Sequence, residues 1–208
     1  MTILHLDSSP RAASHSRALS AEAISQLQSR FPDATVVYHD LSNEAIPFVS
    51  EEWVAAAFSD PSTHSQELKS ALALSNALVD ELLAADVLVA GVPMYNFSVP
   101  ASFKAWLDQV ARFGRTFTIG ADGAKGLLTD RPALFVTARG SGGYGPGEAN
   151  ESINFEDPYL KTVFAFLGIK STSFAHINNA NEGSPRPASV EEARGEVAKF
   201  VASVGSAS

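Results

Sequence analysis

Short apolar runs alternate with longer amphipathic stretches along the whole chain. Residues 3–6, 35–38, 87–92, 132–137 and 171–177 read as buried strands. Residues 16–30 read as a helix, with Leu19, Ala23, Ile24 and Leu27 at helical spacing and Pro32 beyond its end. Further helices are predicted over 67–85, 100–112, 158–167 (capped by Gly168) and 189–204, with a short one over 51–58. The excursion 41–65 carries Pro47 and Pro61. Residues 117–128 hold Gly120, Gly123 and Gly126 and read as a hairpin or loop, and Pro185-Arg186-Pro187 as a stiff loop. The last four residues, 205–208, are expected to fray. Strands that alternate with helices predict a parallel sheet covered on both faces, and continuously apolar strands agree.

Ligands of such sheets sit where strands end and loops begin, and three of these ends carry candidate chemistry. After the first strand stands Asp7-Ser8-Ser9-Pro10-Arg11-Ala12-Ala13-Ser14-His15-Ser16. It contains no glycine, so neither G-x-G-x-x-G nor a P-loop is present. It offers hydroxyls ahead of a helix N-terminus, where backbone N–H groups and the dipole favour an anion. Ser9, Ser14 and Ser16 can bond phosphate oxygens there without added positive charge. Serines alone are equally consistent with a plain helix cap. The third strand runs into Met94-Tyr95-Asn96-Phe97. A thioether, phenol, carboxamide and phenyl in four residues suit a flat, hydrogen-bonding, redox-active ring; taken singly, the segment is also an ordinary turn with two packed aromatics. After the fourth strand comes Arg139-Gly140-Ser141-Gly142-Gly143-Tyr144-Gly145-Pro146-Gly147. Its glycines permit close backbone approach to a ligand; alone, it is equally a surface loop. It is no nucleophile elbow, because Arg139 stands two before Ser141. Together the three ends fit an α/β, flavodoxin-like doubly wound sheet of order 2-1-3-4-5, with phosphate at the first loop and a ring edged by the other two.

Composition narrows the function. A chain of 208 residues suits one domain, taken as 1–208. A net charge of -8 argues against a nucleic-acid surface. The absence of cysteine excludes disulfides, thiolate metal sites and cysteine nucleophiles. The N-terminus lacks a signal-peptide pattern and no run approaches a membrane span, so the cytoplasm is the expected location. Of five histidines only His15 falls in a ligand loop. The other four lack metal-like spacing, and no metal is expected. Trp53 and Trp106 are assigned to packing or an interface.

The sequence resembles the FMN-dependent NADH-azoreductases, relatives of the NAD(P)H:quinone oxidoreductases. The matching segments are Ser8-Ser9-Pro10-Arg11 with Ser14-His15-Ser16-Arg17, Pro93-Met94-Tyr95-Asn96-Phe97, Thr137-Ala138-Arg139-Gly140, Asp157-Pro158-Tyr159-Leu160 and Phe166-Leu167-Gly168-Ile169. The similarity spans nearly the whole chain. It implies non-covalent FMN, a homodimer with a site at each end of the interface, and NADH or NADPH as hydride donor. Quinones and azo compounds would be the acceptors, with donor and acceptor using one cleft in turn. On these residues it implies phosphate held by Ser9, Ser14, His15 and Ser16. The isoalloxazine would be bordered by Met94, Tyr95, Asn96 and Phe97, with its other edge lined by Ala138, Arg139, Gly140 and Ser141. Asn96 would position the ring. Phe166, Ile119 and Tyr144 would lie toward the substrate, Ile119 where some relatives carry an aromatic. A flavodoxin-type electron carrier without its own NAD(P)H activity is the alternative.

Overall fold

The computed structural model describes residues 1–180 and 187–205. Strands β1 (Thr2–Asp7), β2 (Thr35–Asp40), β3 (Val87–Gly91), β6 (Ala133–Ala138) and β7 (Thr172–Ile177) form one parallel sheet in the order β2-β1-β3-β6-β7. Strands β4 (Phe117–Gly120) and β5 (Gly123–Gly126) form a separate antiparallel hairpin. With the hairpin set aside, the order is the expected 2-1-3-4-5. The helices are α1 (His15–Arg30), α2 (Glu51–Ala57), α3 (Gln66–Ala71), α4 (Ala73–Ala84), α5 (Ala101–Val110), α6 (Glu156–Leu167) and α7 (Pro187–Ser203). Residues 185–186 and 206–208, read above as loop and frayed end, lie outside the described residues.

Alternate strand residues feed two different cores, as a pleat of period two requires. Leu4, Leu6, Leu88, Ala90 and Phe135 face α4, α5 and α6, where Leu82, Phe103, Trp106 and Phe164 meet them. Ile3, Val87, Val89, Leu134 and Val136 face α1 and α7, packing on Leu19, Leu27, Val197 and Phe200. The middle strand β3 is therefore apolar at every position.

The expected helix 67–85 is broken at Leu72, which ends α3 and precedes α4 without a side-chain cap. Leu72 is buried against Trp53, Ala56 and Ala57 of α2, and that packing outweighs the helical propensity of the segment. Helix α6 starts two residues before the expected Pro158, so its first turn contains Glu156 and Asp157. The hairpin seats on the end of α6: a Cβ at Gly126 would come within 2.4 Å of Leu167, and one at Gly168 within 2.3 Å of the Leu128 carbonyl oxygen. Gly168 also has φ +118, which only glycine adopts readily. No helix among the described residues is long and apolar enough to cross a membrane.

Candidate active site

The carboxyl ends of β1, β3 and β6 carry the site. After β1, Ser8 hydrogen-bonds back to the Gly91 carbonyl through both its N–H and its hydroxyl, each at 3.0 Å. This turns the chain toward α1. Ser14 caps α1 by accepting from the Arg17 N–H at 3.3 Å, and Ser14 Oγ lies 3.1 Å from Ser16 Oγ. The capping role is thus observed, and Ser14 also lines the smaller hollow described below. Helix geometry leaves the His15 and Ser16 N–H groups without intrahelical acceptors, and no acidic residue occupies the first turn. Arg17 braces the loop from behind. Its Nη2 donates to the Ser9 carbonyl at 2.7 Å and to Asp40 at 2.9 Å, and Nη1 donates to Asp40 at 3.0 Å and to the Tyr38 hydroxyl at 2.7 Å. Although its burial opposes this, hydrogen bonds from Arg17, Ser42 and Asn43 hold the Asp40 carboxyl well below the usual range. Burial pushes the neighbouring Asp7 carboxyl up, against the hydrogen bond from Ser20 and the charge of Arg17.

After β3 the chain makes a two-residue turn. Tyr95 and Ser98 exchange backbone bonds at 2.9 and 3.1 Å, with Asn96 at φ 49 and Phe97 at φ 72 between them. Two positive φ values mark a type I′ turn, which strongly favours Asn-Gly. Asparagine suits the first position. Phenylalanine at the second holds a left-handed conformation at a cost of about 1–2 kcal/mol, and its ring is about half exposed. The strained residue lines the wide cleft described below.

After β6, Arg139 is pinned at its backbone: its N–H donates to the Ile177 carbonyl at 2.8 Å and its carbonyl accepts from Ala180 at 2.9 Å. The loop beyond is tied by Asn150, which donates through Nδ2 to the Gly142 carbonyl and through its backbone N–H to the Gly143 carbonyl, both at 2.7 Å.

These ends enclose two adjoining hollows. A narrow one of about 110 Å³ is lined by Ser9, Arg11, Ser14, His15, Ala138 and Gly140, together with Pro93, Met94, Tyr95 and Ala180. A wider cleft of about 570 Å³ is lined by Met94, Tyr95, Asn96, Phe97, Gly140, Ser141 and Tyr144. Met94, Tyr95 and Gly140 line both, so the two hollows adjoin. Its small end is polar and sits at a helix N-terminus; its wide end is rimmed by aromatics.

Across residues 1–201 the sequence matches the Flavodoxin_2 family, described as a flavodoxin-like fold. A protein of Nostoc punctiforme named FMN-dependent NADH:quinone oxidoreductase is 45% identical over 203 residues, covering 97% of this chain and 98% of its own. The chain belongs to this flavodoxin-like family. A Pseudomonas aeruginosa relative named FMN-dependent NAD(P)H:quinone oxidoreductase 1 is 39% identical, over 87% of this chain and 88% of its own. The fold is shared with a solved FMN-dependent NADH-azoreductase of Bacillus anthracis in complex with FMN. That structure has a TM-score of 0.81 at 19% identity and coverage of 97% of each chain.

Within this flavodoxin-like frame, most residues singled out from sequence converge on the hollows, and four do not. Ser16 is fully buried beneath the loop, reaching it through Ser14. Arg139, expected at the ring edge, turns its side chain away. The guanidinium is 2% exposed, Nε donates to Glu156 at 3.1 Å, Nη2 donates to Asp157, and the Tyr144 ring lies 5.5 Å from it. Its backbone is spent on Ile177 and Ala180, so neither its charge nor its main chain lines the cleft. Ile119 on β4 and Phe166 on α6 are 60% and 40% exposed, and neither lines the cleft of its own chain. Arg11, by contrast, borders the smaller hollow, for which the sequence reading had named Ser9, Ser14, His15 and Ser16.

Glu156 was missed as well. It is fully buried, and its Oε1 has no hydrogen-bond partner among the described residues. Burial, opposed by the Arg139 charge and reinforced by Asp157, pushes its carboxyl up to about 8.

Two measurements check this geometry. Phe97→Gly relieves the left-handed strain and removes the ring. Its melting temperature should rise by about 2–4 °C, while release of the bound ring ligand becomes several-fold faster; a lower melting temperature contradicts the strain argument. For Glu156, the native state retains a proton that the unfolded chain loses above its ordinary carboxyl pKa. Its contribution to stability is therefore full below about pH 4.5 and is lost as pH rises toward 8. Glu156→Gln cannot titrate, so between pH 5 and 8 it should lose about 2 kcal/mol less stability than wild type. Parallel denaturation curves for both proteins would sink the assignment.

Proposed function

We propose that the chain is an FMN-dependent oxidoreductase that takes hydride from NADH and delivers electrons to quinones and azo compounds, the two half-reactions sharing one cleft. The observation that carries this reading is that a phosphate-sized polar hollow at the α1 N-terminus adjoins, across Met94, Tyr95 and Gly140, an aromatic-rimmed cleft at the β3 and β6 ends. The relatives' names supply the reaction class. The residues fit such a cofactor: hydroxyls of Ser9 and Ser14, the first-turn N–H groups and Arg11 for a phosphate, and a strained aromatic turn opposite a glycine loop for a flat ring. A volume of several hundred Å³ lies within the range of small-molecule sites.

When bound, FMN would supply the hydride-transfer chemistry between nicotinamide and acceptor. The chain's own part is to bind, orient and stabilise. Asn96, fixed at the corner of the type I′ turn, presents a carboxamide to a ring in the cleft. The N–H groups of the loop from Gly140 to Gly143 offer donors to negative charge that develops at the ring edge, and the Asn150 bonds hold them in place beforehand. No side chain in the cleft is required as a strong acid or base. Reductive cleavage of an N=N bond to two amines takes four electrons, hence two rounds of hydride donation; a quinone takes one.

The reading extends to a homodimer. Ile119, Phe155 and Phe166 are large, apolar and exposed on one chain, and the cleft lacks a wall on its substrate side. In a two-fold pair these residues would close the cleft of the partner subunit. Sedimentation should give twice the chain mass of 22.0 kDa; a monomer that retains full activity contradicts this part.

The test of the reaction is anaerobic. NADH should bleach the yellow colour of the FMN-loaded protein, and a quinone should restore it. Asn96→Ala should slow the bleaching by roughly 10-fold, the loss of one good hydrogen bond in the transition state. Colour that persists in excess NADH and NADPH would instead favour a flavodoxin-type carrier.

A further inference from the structure

A second cavity, of about 580 Å³, lies among the end of α2, the flank of α4 and the turn that follows α5. It shares no lining residue with the cleft or the phosphate-sized hollow. One wall is apolar, with Ala56, Ala57, Leu72 and Phe113. The other carries Arg112, with Arg115 and His64 nearby.

Arg112 is 5% exposed, yet it takes part in no ion pair among the described residues. Its Nη1 donates to Ser75 Oγ at 2.7 Å and Asn76 Oδ1 at 3.3 Å, both neutral acceptors. The Trp53 ring lies 5.4 Å from the guanidinium carbon. Nε and Nη2 have no acceptor among the described residues, and Nε is sealed from solvent. Other buried arginines of this chain are compensated. Arg139 holds two carboxylates, and Arg131 donates to the carbonyls of Leu82, Leu83 and Ala85, closing the end of α4. The only carboxylate on the cavity wall, Asp80, is exposed and paired with Arg115 at 2.6 Å. A buried guanidinium without a countercharge is a standing cost to the fold. Of its two unpartnered nitrogens Nη2 is the one solvent reaches, and it can donate a charge-assisted bond to a carboxylate oxygen in the cavity.

We propose that this cavity is a binding site for a small organic carboxylate, its carboxylate held by Nη2 of Arg112 and its apolar body against Leu72 and Phe113. The site stands apart from the redox cleft and does not depend on the reaction proposed above.

Calorimetric titration of the FMN-loaded protein with sodium benzoate tests it. Wild type should bind benzoate saturably with no change in the visible flavin spectrum. Arg112→Met should weaken binding roughly 30-fold or more, through loss of the charge-assisted pair, while retaining FMN and quinone reduction. Arg112→Lys keeps the charge but not the reach of the Nη2 donor, so an intermediate loss of about 5- to 10-fold is expected. It also serves if the methionine variant does not fold. Absence of binding to wild type overturns the proposal, including the case in which a carboxylate of a second copy already fills the cavity. Binding that Arg112→Met and Arg112→Lys leave intact, or that perturbs the flavin spectrum, overturns it equally.

Discussion

All five strands of a parallel sheet run out at the same edge, and their ends must be satisfied there without another strand to pair with. The site is built from the solution to this constraint. At β1 the Gly91 carbonyl takes two bonds from Ser8, which is possible because β1 and β3 approach closely at Asp7 and Gly91. A Cβ at position 91 would fall 2.3 Å from Asp7 Oδ1. At β6 the Arg139 backbone takes one bond from the far side of β7 and gives one to Ile177. Neither loop is free to choose its path; both are continuations of strand pairing by other donors.

Two arginines finish this work from behind the site. Arg17 ties Ser9, Tyr38 and Asp40 together, and Arg139 ties β6 to the first turn of α6. Both turn their charge into the protein, and neither lines the hollows. An acidic chain can thus hold an anion: local N–H groups and hydroxyls act at contact distance, whereas net charge acts over a screened range of about 8–10 Å. Arg11 adds a cation at the rim, beside the smaller hollow.

Strand positions and the hydroxyl loop were legible because both follow from local pattern: continuous apolar runs, and serines ahead of a helix. The Met94–Phe97 segment was legible as chemistry but not as geometry, because Asn-Phe is not the pair that a type I′ turn favours. The direction of Arg139 was not legible. Its partners Glu156 and Asp157 lie 17 and 18 residues away, on a helix whose first turn had been placed two residues late. The acid pair by itself reads as ordinary complementarity to a helix dipole. The break at Leu72 was hidden for a similar reason, since its cause is the packing of α2, a long-range contact with no trace in the helical periodicity of the segment.

The protonation of Glu156 bears directly on the chemistry proposed for the cleft. Arg139 faces two carboxylates, so with both ionised the cluster behind the glycine loop carries one net negative charge. With Glu156 protonated, as its pKa of about 8 makes it at neutral pH, the cluster is neutral. Tyr144 spans the two environments, its ring near Arg139 on one side and lining the cleft on the other. A ligand that gains negative charge during turnover would be opposed by a negative background in a poorly screened interior. A neutral cluster removes that opposition, while the fixed N–H donors of the loop still favour the charge. The buried carboxylic acid therefore does for the field behind the cleft what a longer-range cation could do only by leaving the loop's brace.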